Sequence, residues 1–240
     1  MKKILAIGNS FTDDATHYLP ALAELSGVDV RICALYIGGC RLSLHHEHML
    51  SEFKAYKPLR DTKLSGPVSI KEAMESDDWD VVTFQQQSSA SARYATFQPY
   101  LNDLSAYAKK LCPNAKQYMH QTWAYQTGSK MIFEAGYATY EEMFEPIRDA
   151  YARAAKDIDA DGTIYAGEAM LRLKESGYPY IHRDCFHAQG GVSRLLLACL
   201  WYETLIGPLD ENAVMNVKTD LPVTEEQRKT IIDIVKNIVK

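Results

Sequence analysis

Along the chain, short apolar runs alternate with stretches whose apolar positions recur every three or four residues. That alternation predicts a parallel sheet buried on both faces by the helices that connect its strands. Residues 3–7 read as a first strand, and residues 16–25 as a helix with Leu19, Leu22 and Ala23 on one face and Gly27 as its stop. Residues 28–36 predict a second strand running into Gly38-Gly39, residues 42–53 a short helix, and residues 58–67 an irregular stretch. A third strand is expected over 79–84, a helix over 99–111, a fourth strand over 117–121 and a short fifth over 162–165. Helical periodicity returns over 139–158, 168–174, 190–205 and 224–239, while 127–138 is long for a tight connection and reads as a lid. The expected architecture is a single α/β domain over residues 1–240, a three-layer α/β/α sandwich around a flavodoxin-like parallel sheet of about five strands.

Composition narrows the function classes. With 47% hydrophobic and 24% charged residues the 240-residue chain can bury a substantial core, which excludes a disordered or coiled-coil protein. Its 26 basic and 31 acidic residues give a net charge of −5 without a basic run, so nucleic acid is not an expected partner. The run 195–200 is far short of the roughly 20 apolar residues that cross a bilayer, so no membrane partner is expected either. Only Ile4 to Ile7 follow the opening lysines before Gly8, below the ~7 apolar residues of a secretory leader. The chain as written is expected in the cytoplasm, or outside it if a leader has been trimmed. Five cysteines without a CxxC pair predict free thiols rather than disulfides or a thiolate metal site.

In open parallel sheets ligands gather beyond the carboxyl ends of the strands, and four such positions are chemically unusual. Gly8-Asn9-Ser10-Phe11-Thr12 turns the first strand into a helix with a hydroxyl at its start, which alone also fits a capping turn. Gly38-Gly39 allows backbone N–H groups to approach a ligand closely, or simply turns the chain. Gln85-Gln86-Gln87-Ser88 ends a hydrophobic strand with amides that must find partners, either loops or a developing oxyanion. Asp184-Cys185-Phe186-His187 sets a carboxylate three residues before an imidazole, where it can hold Nδ1 and leave Nε2 as a base.

Taken in order, these four blocks resemble those of the SGNH (GDSL-like) hydrolase superfamily, over residues 3 to about 207. Together with Leu42, His45 and Trp201-Tyr202-Glu203, they are similar to a bacterial branch of it known as a domain of unknown function. The resemblance implies an ester hydrolase, possible substrates including the O-acetyl group of a carbohydrate, with no cofactor and no metal. It implies Ser10 as nucleophile, His187 as general base and then acid, and Asp184 as its orienting carboxylate. Oxyanion donors would be the amides of Ser10 and Gly39 (with Gly38 as the alternative) and a side chain of the third block. Asn9 stands where the GDSL motif has aspartate, and the third block lacks the Gly-x-Asn-Asp motif. Gln86, with Gln85 beside it, is therefore the expected amide donor. His45, His120, Gln121 and Trp123 are expected to line the substrate cleft.

Other readings compete with this one. His45, His46 and His48 with His182, Asp184 and His187 supply zinc-type ligands, but their spacing lacks the HExxH pattern. Cys185 is too close in sequence to His187 to align as a nucleophile, and neither GxGxxG nor GxxxxGK[ST] supports a phosphate loop. A catalytically impaired carbohydrate-binding protein is the remaining alternative, suggested by aromatic residues such as Trp123, Tyr125 and Tyr137.

Overall fold

Strand β1 (Lys2–Gly8) has no exposed surface from Ile4 to Ile7, as a strand buried on both faces requires. A computed structural model describes residues 1–61 and 63–239. After β1 come helices α1 (Ser10–Thr16) and α2 (Leu19–Leu25), strand β2 (Val30–Tyr36), helix α3 (Leu42–Ser51) and strand β3 (Lys57–Leu59). Helix α4 (Ile70–Glu75), strand β4 (Val81–Phe84), helix α5 (Tyr100–Leu111) and strand β5 (Lys116–His120) follow. The remainder comprises α6 (Lys130–Glu134), α7 (Tyr140–Asp157), β6 (Gly162–Ile164), α8 (Ala166–Glu175), α9 (Val192–Leu205), α10 (Glu211–Asn216) and α11 (Glu225–Ile238).

The six strands form one sheet in the order β3-β2-β1-β4-β5-β6. Strand β1 pairs in parallel with β2 and β4, and β4 with β5. Setting β3 aside, the order is that of a flavodoxin-like sheet, whose direction of winding reverses between β1 and β4. Register keeps the strand ends level, Ile7 opposite Phe84 and Phe84 opposite Met119, so the loops after β1, β4 and β5 start from one edge. Strand β3 is a departure from the sequence expectation of an irregular 58–67, within which Thr62 lies outside the described residues. It is antiparallel to β2 at the sheet edge, where the missing N–H of Pro58 is tolerated, and three residues are too few to show a period.

The chain forms two compact units, each assembled from separated segments. The first comprises Met1–Asp13, Val30–Thr122 and Pro146–Thr163. In it α3, α4 and α5 pack on one another, and α4 is held by a capping box between Ser69 and Glu72. The second comprises Asp14–Asp29, Trp123–Glu145 and Ile164–Lys240, and is organised around α9. Eleven of the fourteen residues of α9 are buried, which its nearly uniform apolar sequence requires. Helices α2, α8 and α11 pack on it, and α10 packs on α2 and α11. No helix among the described residues is long and apolar enough to cross a membrane.

Candidate active site

In the first unit, one buried asparagine joins the loops that leave three strands. Asn9 follows β1 and is 2% exposed. Its Nδ2 donates to the Cys40 carbonyl at 3.1 Å, securing the loop after β2. Its Oδ1 accepts from Phe11 N at 3.1 Å, which turns the chain into α1, and from Gln85 Nε2 at 2.8 Å, which secures the loop after β4. Thr12 Oγ1 donates to Gln85 Oε1 at 2.7 Å. Gly8 is required for this approach, because a Cβ there would lie 2.1 Å from Thr12 Oγ1. Ser10, the first residue of α1, is half-buried beside this network.

The three glutamines after β4 have different assignments. Gln85 Nε2 donates to Asn9 and, at 2.9 Å, to the Gln86 carbonyl, so both its N–H groups are engaged. Gln86 Nε2 donates to the Thr96 carbonyl and hydroxyl at 2.8 and 3.1 Å, while its Oε1 accepts from Leu42 N and Gln87 N. Gln86 and Gln85, the expected oxyanion donors, thus each have their amide N–H groups committed to tying loops together. Gln87 differs. Its Oε1 accepts from Arg41 Nε at 3.2 Å and from Ser89 Oγ at 2.8 Å. Because a guanidinium can only donate, Arg41 fixes which way this amide points. Gln87 Nε2 has no partner among the described residues and lies 3.9 Å from where a Cβ on Gly39 would be. Gly39 itself is exposed and has φ +62°, a conformation natural to glycine.

In the second unit, Asp184 and His187 form the expected pair. Asp184 Oδ2 meets His187 Nδ1 at 2.8 Å, and Oδ1 accepts from His187 N at 2.9 Å. Burial works to raise the Asp184 carboxyl, but the bonds from His187 and the charges of His187 and Arg183 outweigh it, holding it below the usual carboxylate range. With Nδ1 held by Asp184, Nε2 is the ring nitrogen that this pair does not engage. Cys185 turns the loop with φ +75°, and its carbonyl accepts from Gln126 N at 2.8 Å. The loop is closed by bonds from Arg183 N to the His187 carbonyl and from Gln189 N to the Ile181 carbonyl, each 3.0 Å.

A support that the sequence did not reveal is Asp14, which has no exposed surface and lies one turn after Ser10 on α1. It accepts from Arg183 Nη1 at 2.7 Å, Arg194 Nε at 2.9 Å and Ala188 N at 3.0 Å, anchoring the residue next to His187. Sequence spacing could not show this, since the partners lie 169 to 180 residues away and a helix-start aspartate reads as a cap.

The residues expected to line the cleft lie in the interior. His45, His120 and Trp123 are 0% exposed and Gln121 is 1% exposed, so their side chains are packed rather than presented. His45 pairs through Nδ1 with the Tyr56 hydroxyl at 2.8 Å. Burial, and to a lesser degree His48, lowers its pKa to about 3; burial lowers that of His120 to about 3 as well. His120 Nδ1 lies 3.4 Å from Thr12 Oγ1. Trp123 Nε1 donates to the Phe186 carbonyl at 2.7 Å and so steadies the His187 loop from within the second unit. The 127–138 stretch expected as a lid contains α6, capped by Ser129. His46 meets Asp103 at 2.8 Å, and no three His, Cys, Asp or Glu among the described residues converge as metal ligands.

Comparison with known proteins places this geometry in a family. Among solved structures, a DUF4886 family protein from Bacteroides uniformis superposes with a TM-score of 0.88 at 26% identity, covering 99% of this chain and 94% of its own. A candidate SGNH hydrolase from Slackia heliotrinireducens superposes with a TM-score of 0.62 at 29% identity, covering 85% and 98%. The psychrotrophic esterase EstA from Pseudoalteromonas shares the fold at 10% identity, with a TM-score of 0.55 and coverage of 85% and 96%. No curated protein matches the chain. The α/β fold with its mostly parallel six-stranded sheet is that of the SGNH and GDSL-like hydrolases. Residues 3–228 match the model of the domain of unknown function DUF4886, and the chain belongs to that family.

Proposed function

We propose that the protein is a serine-dependent ester hydrolase acting on an O-acetylated carbohydrate, with Ser10 as nucleophile, His187 as base and Asp184 as its orienting partner. The observation that carries this reading is the Asp184–His187 pair, with Nδ1 bound at 2.8 Å on a loop that Asp14 of α1 also holds. In the proposed reaction Ser10 Oγ attacks the ester carbonyl carbon as His187 Nε2 takes its proton. The resulting oxyanion accepts hydrogen bonds from the amides of Ser10 and Gly39 and from Gln87 Nε2. Each such donor is worth about 3–4 kcal/mol of barrier. As the tetrahedral intermediate collapses, the C–O bond to the alcohol breaks and the imidazolium returns its proton to the leaving oxygen. Water, deprotonated at the same nitrogen, then attacks the acyl-serine and releases the acid.

Hydrolysis of 4-nitrophenyl acetate and labelling by a fluorophosphonate test this reading. Turnover should vanish in Ser10→Ala and His187→Ala, and the label should be found on Ser10 by peptide mass spectrometry. Activity that survives Ser10→Ala removes the serine mechanism. A binding-only role is favoured by one feature of the second unit, a cavity of about 220 Å³ lined by Tyr140, Tyr178 and Tyr180 with Lys174 at its side. Under that reading, wild type and Ser10→Ala bind a glycan equally and neither turns over an ester.

A further inference from the structure

Four arginines meet an aspartate: Arg31 with Asp61, Arg60 with Asp13, and Arg183 and Arg194 with Asp14. Arg41 and Arg93 do not. Both are exposed, and their hydrogen bonds go to neutral groups, Arg41 Nε to Gln87 Oε1 and Arg93 Nη2 to the Ser89 carbonyl at 3.4 Å. They line one cavity of about 280 Å³ in the first unit, together with Ser43, Thr96, Gln98 and Tyr100, and no carboxylate lines it. In a chain whose acidic residues outnumber the basic ones 31 to 26, two guanidiniums facing one hollow without a counter-charge form a local positive site.

Two independent features give that site more than charge. Helix α3, ten residues long, begins at this wall with Arg41 at its N-cap; Gln86 Oε1 takes Leu42 N and the Arg41 carbonyl takes Leu44 N and His45 N, so the helix adds the positive end of its dipole rather than free N–H groups. Gln98 Oε1 is buried without a hydrogen-bond partner, while Nε2 of the same amide is fixed on Asp157 at 2.8 Å. The cavity thus offers a forked cationic surface to an anion, with a buried amide oxygen behind its lining. Its wall includes Gln86 and continues through Arg41 to Gln87, the amide assigned above to the oxyanion.

We propose that this cavity is the subsite for a carboxylate on the alcohol half of the substrate, which makes the substrate an O-acetylated acidic sugar. A planar carboxylate matches the guanidinium fork, and an acetyl group cannot itself carry the charge. This assignment rests on the hydrolase reading for the identity of the ester, and on the cavity alone for the anion.

The test separates the two. Calorimetric titration of the Ser10→Ala protein with methyl glucuronoside and with methyl glucoside measures the anion site without turnover. The uronide should bind about ten-fold more tightly, and raised salt should reduce the difference. In Ser10→Ala combined with Arg93→Gln the two glycosides should bind within about two-fold of each other, whereas Arg93→Lys should keep part of the preference. Arg93→Gln alone should lose the kcat/KM preference for acetylated glucuronoside over acetylated glucoside. Equal binding of the two glycosides by the Ser10→Ala protein, or a preference that persists without Arg93, overturns the proposal. Tighter binding of glucose 6-phosphate than of the uronide overturns the carboxylate assignment. A uronide preference in a protein inactive on every ester supports the anion site and removes the hydrolase.

Discussion

Substituting Asn9 tests whether the asparagine that replaces the aspartate of the GDSL motif is the structural hub of the first unit. Asn9→Ala deletes the donor to the Cys40 carbonyl and the acceptor shared by Phe11 N and Gln85 Nε2. Three polar groups in a region where Asn9 is 2% exposed then lack a partner. Each buried unpaired group costs about 1–3 kcal/mol, and water entering the small space recovers part of it, so a loss of about 3–5 kcal/mol is expected. That is a large fraction of the roughly 5–15 kcal/mol that stabilises a domain. Asn9→Asp separates the contributions, because it keeps the acceptor and turns only the Cys40 donor into an oxygen. Burial and the facing carbonyl should raise the new carboxyl above its unfolded value of about 3.9. Its penalty is therefore complete above the folded pKa and is relieved as pH falls through it, when the protonated acid donates to Cys40. Urea unfolding followed by circular dichroism, for both variants at pH 7 and pH 4.5, reads these differences as midpoint shifts. If Asn9→Ala shifts stability by less than about 1 kcal/mol, the three loops are held by something else and the hub is wrong.

Three further outcomes can be checked. Gln87→Ala should lower kcat about 10²-fold while leaving the unfolding midpoint within error, whereas Gln85→Ala and Gln86→Ala should lower stability and activity together; the opposite pattern would return the donor role to Gln86 or Gln85. Asp14→Asn should cost about 1–3 kcal/mol by weakening the bonds from Arg183, Arg194 and Ala188 N, Arg194 retaining Asp220, and should reduce kcat on 4-nitrophenyl acetate through displacement of His187; a variant of wild-type stability and full activity would refute the anchor. His45 and His120, lowered to about 3, and His182, lowered to about 4, all mainly by burial, stay neutral in the fold while the unfolded chain takes up protons near pH 6.5. Stability from these three groups is complete above that pH and is lost as pH falls toward 4, by at most about 4 kcal/mol per unit, and His45→Gln should remove about a third of that slope in urea titrations between pH 6.5 and 5.

The sheet was legible because its strands carry their own signal. Ile4 to Ile7 is a continuous apolar run and Val81 to Phe84 is interrupted only by Thr83, and the structure buries both on both faces. Elements held by a few local bonds were not legible. Helices α4, α6 and α10 have six, five and six residues, too few for a helical period, and are fixed by the side chains of Ser69, Ser129 and Asp210 at their starts. The predicted helix over 16–25 is in fact the end of α1 and a separate α2, whose first turn contains Pro20. At the candidate site the Asp184–His187 pair could be read because its bond spans three residues, whereas the Asp14 anchor spans more than 160.

The glutamine run shows why residue type alone could not assign the donor. Gln85, Gln86 and Gln87 are chemically identical, and what distinguishes them is which partner reaches each amide first. Asn9 after β1 and Thr12 on α1 engage Gln85, Thr96 and Leu42 engage Gln86, and Arg41 engages only the oxygen of Gln87. Leaving one NH2 unspent and aimed requires that its neighbours not move. Two of the three amides therefore act as struts, joining the loops after β1, β2 and β4 into a frame against which the third is held. A single asparagine one methylene shorter could reach an oxyanion from a strand end directly. A glutamine there has an additional torsion to immobilise, and the added struts reduce that entropy loss before the substrate arrives. Under the proposed reaction, the departure from the third-block motif is a change in how a donor is kept rigid rather than the loss of one.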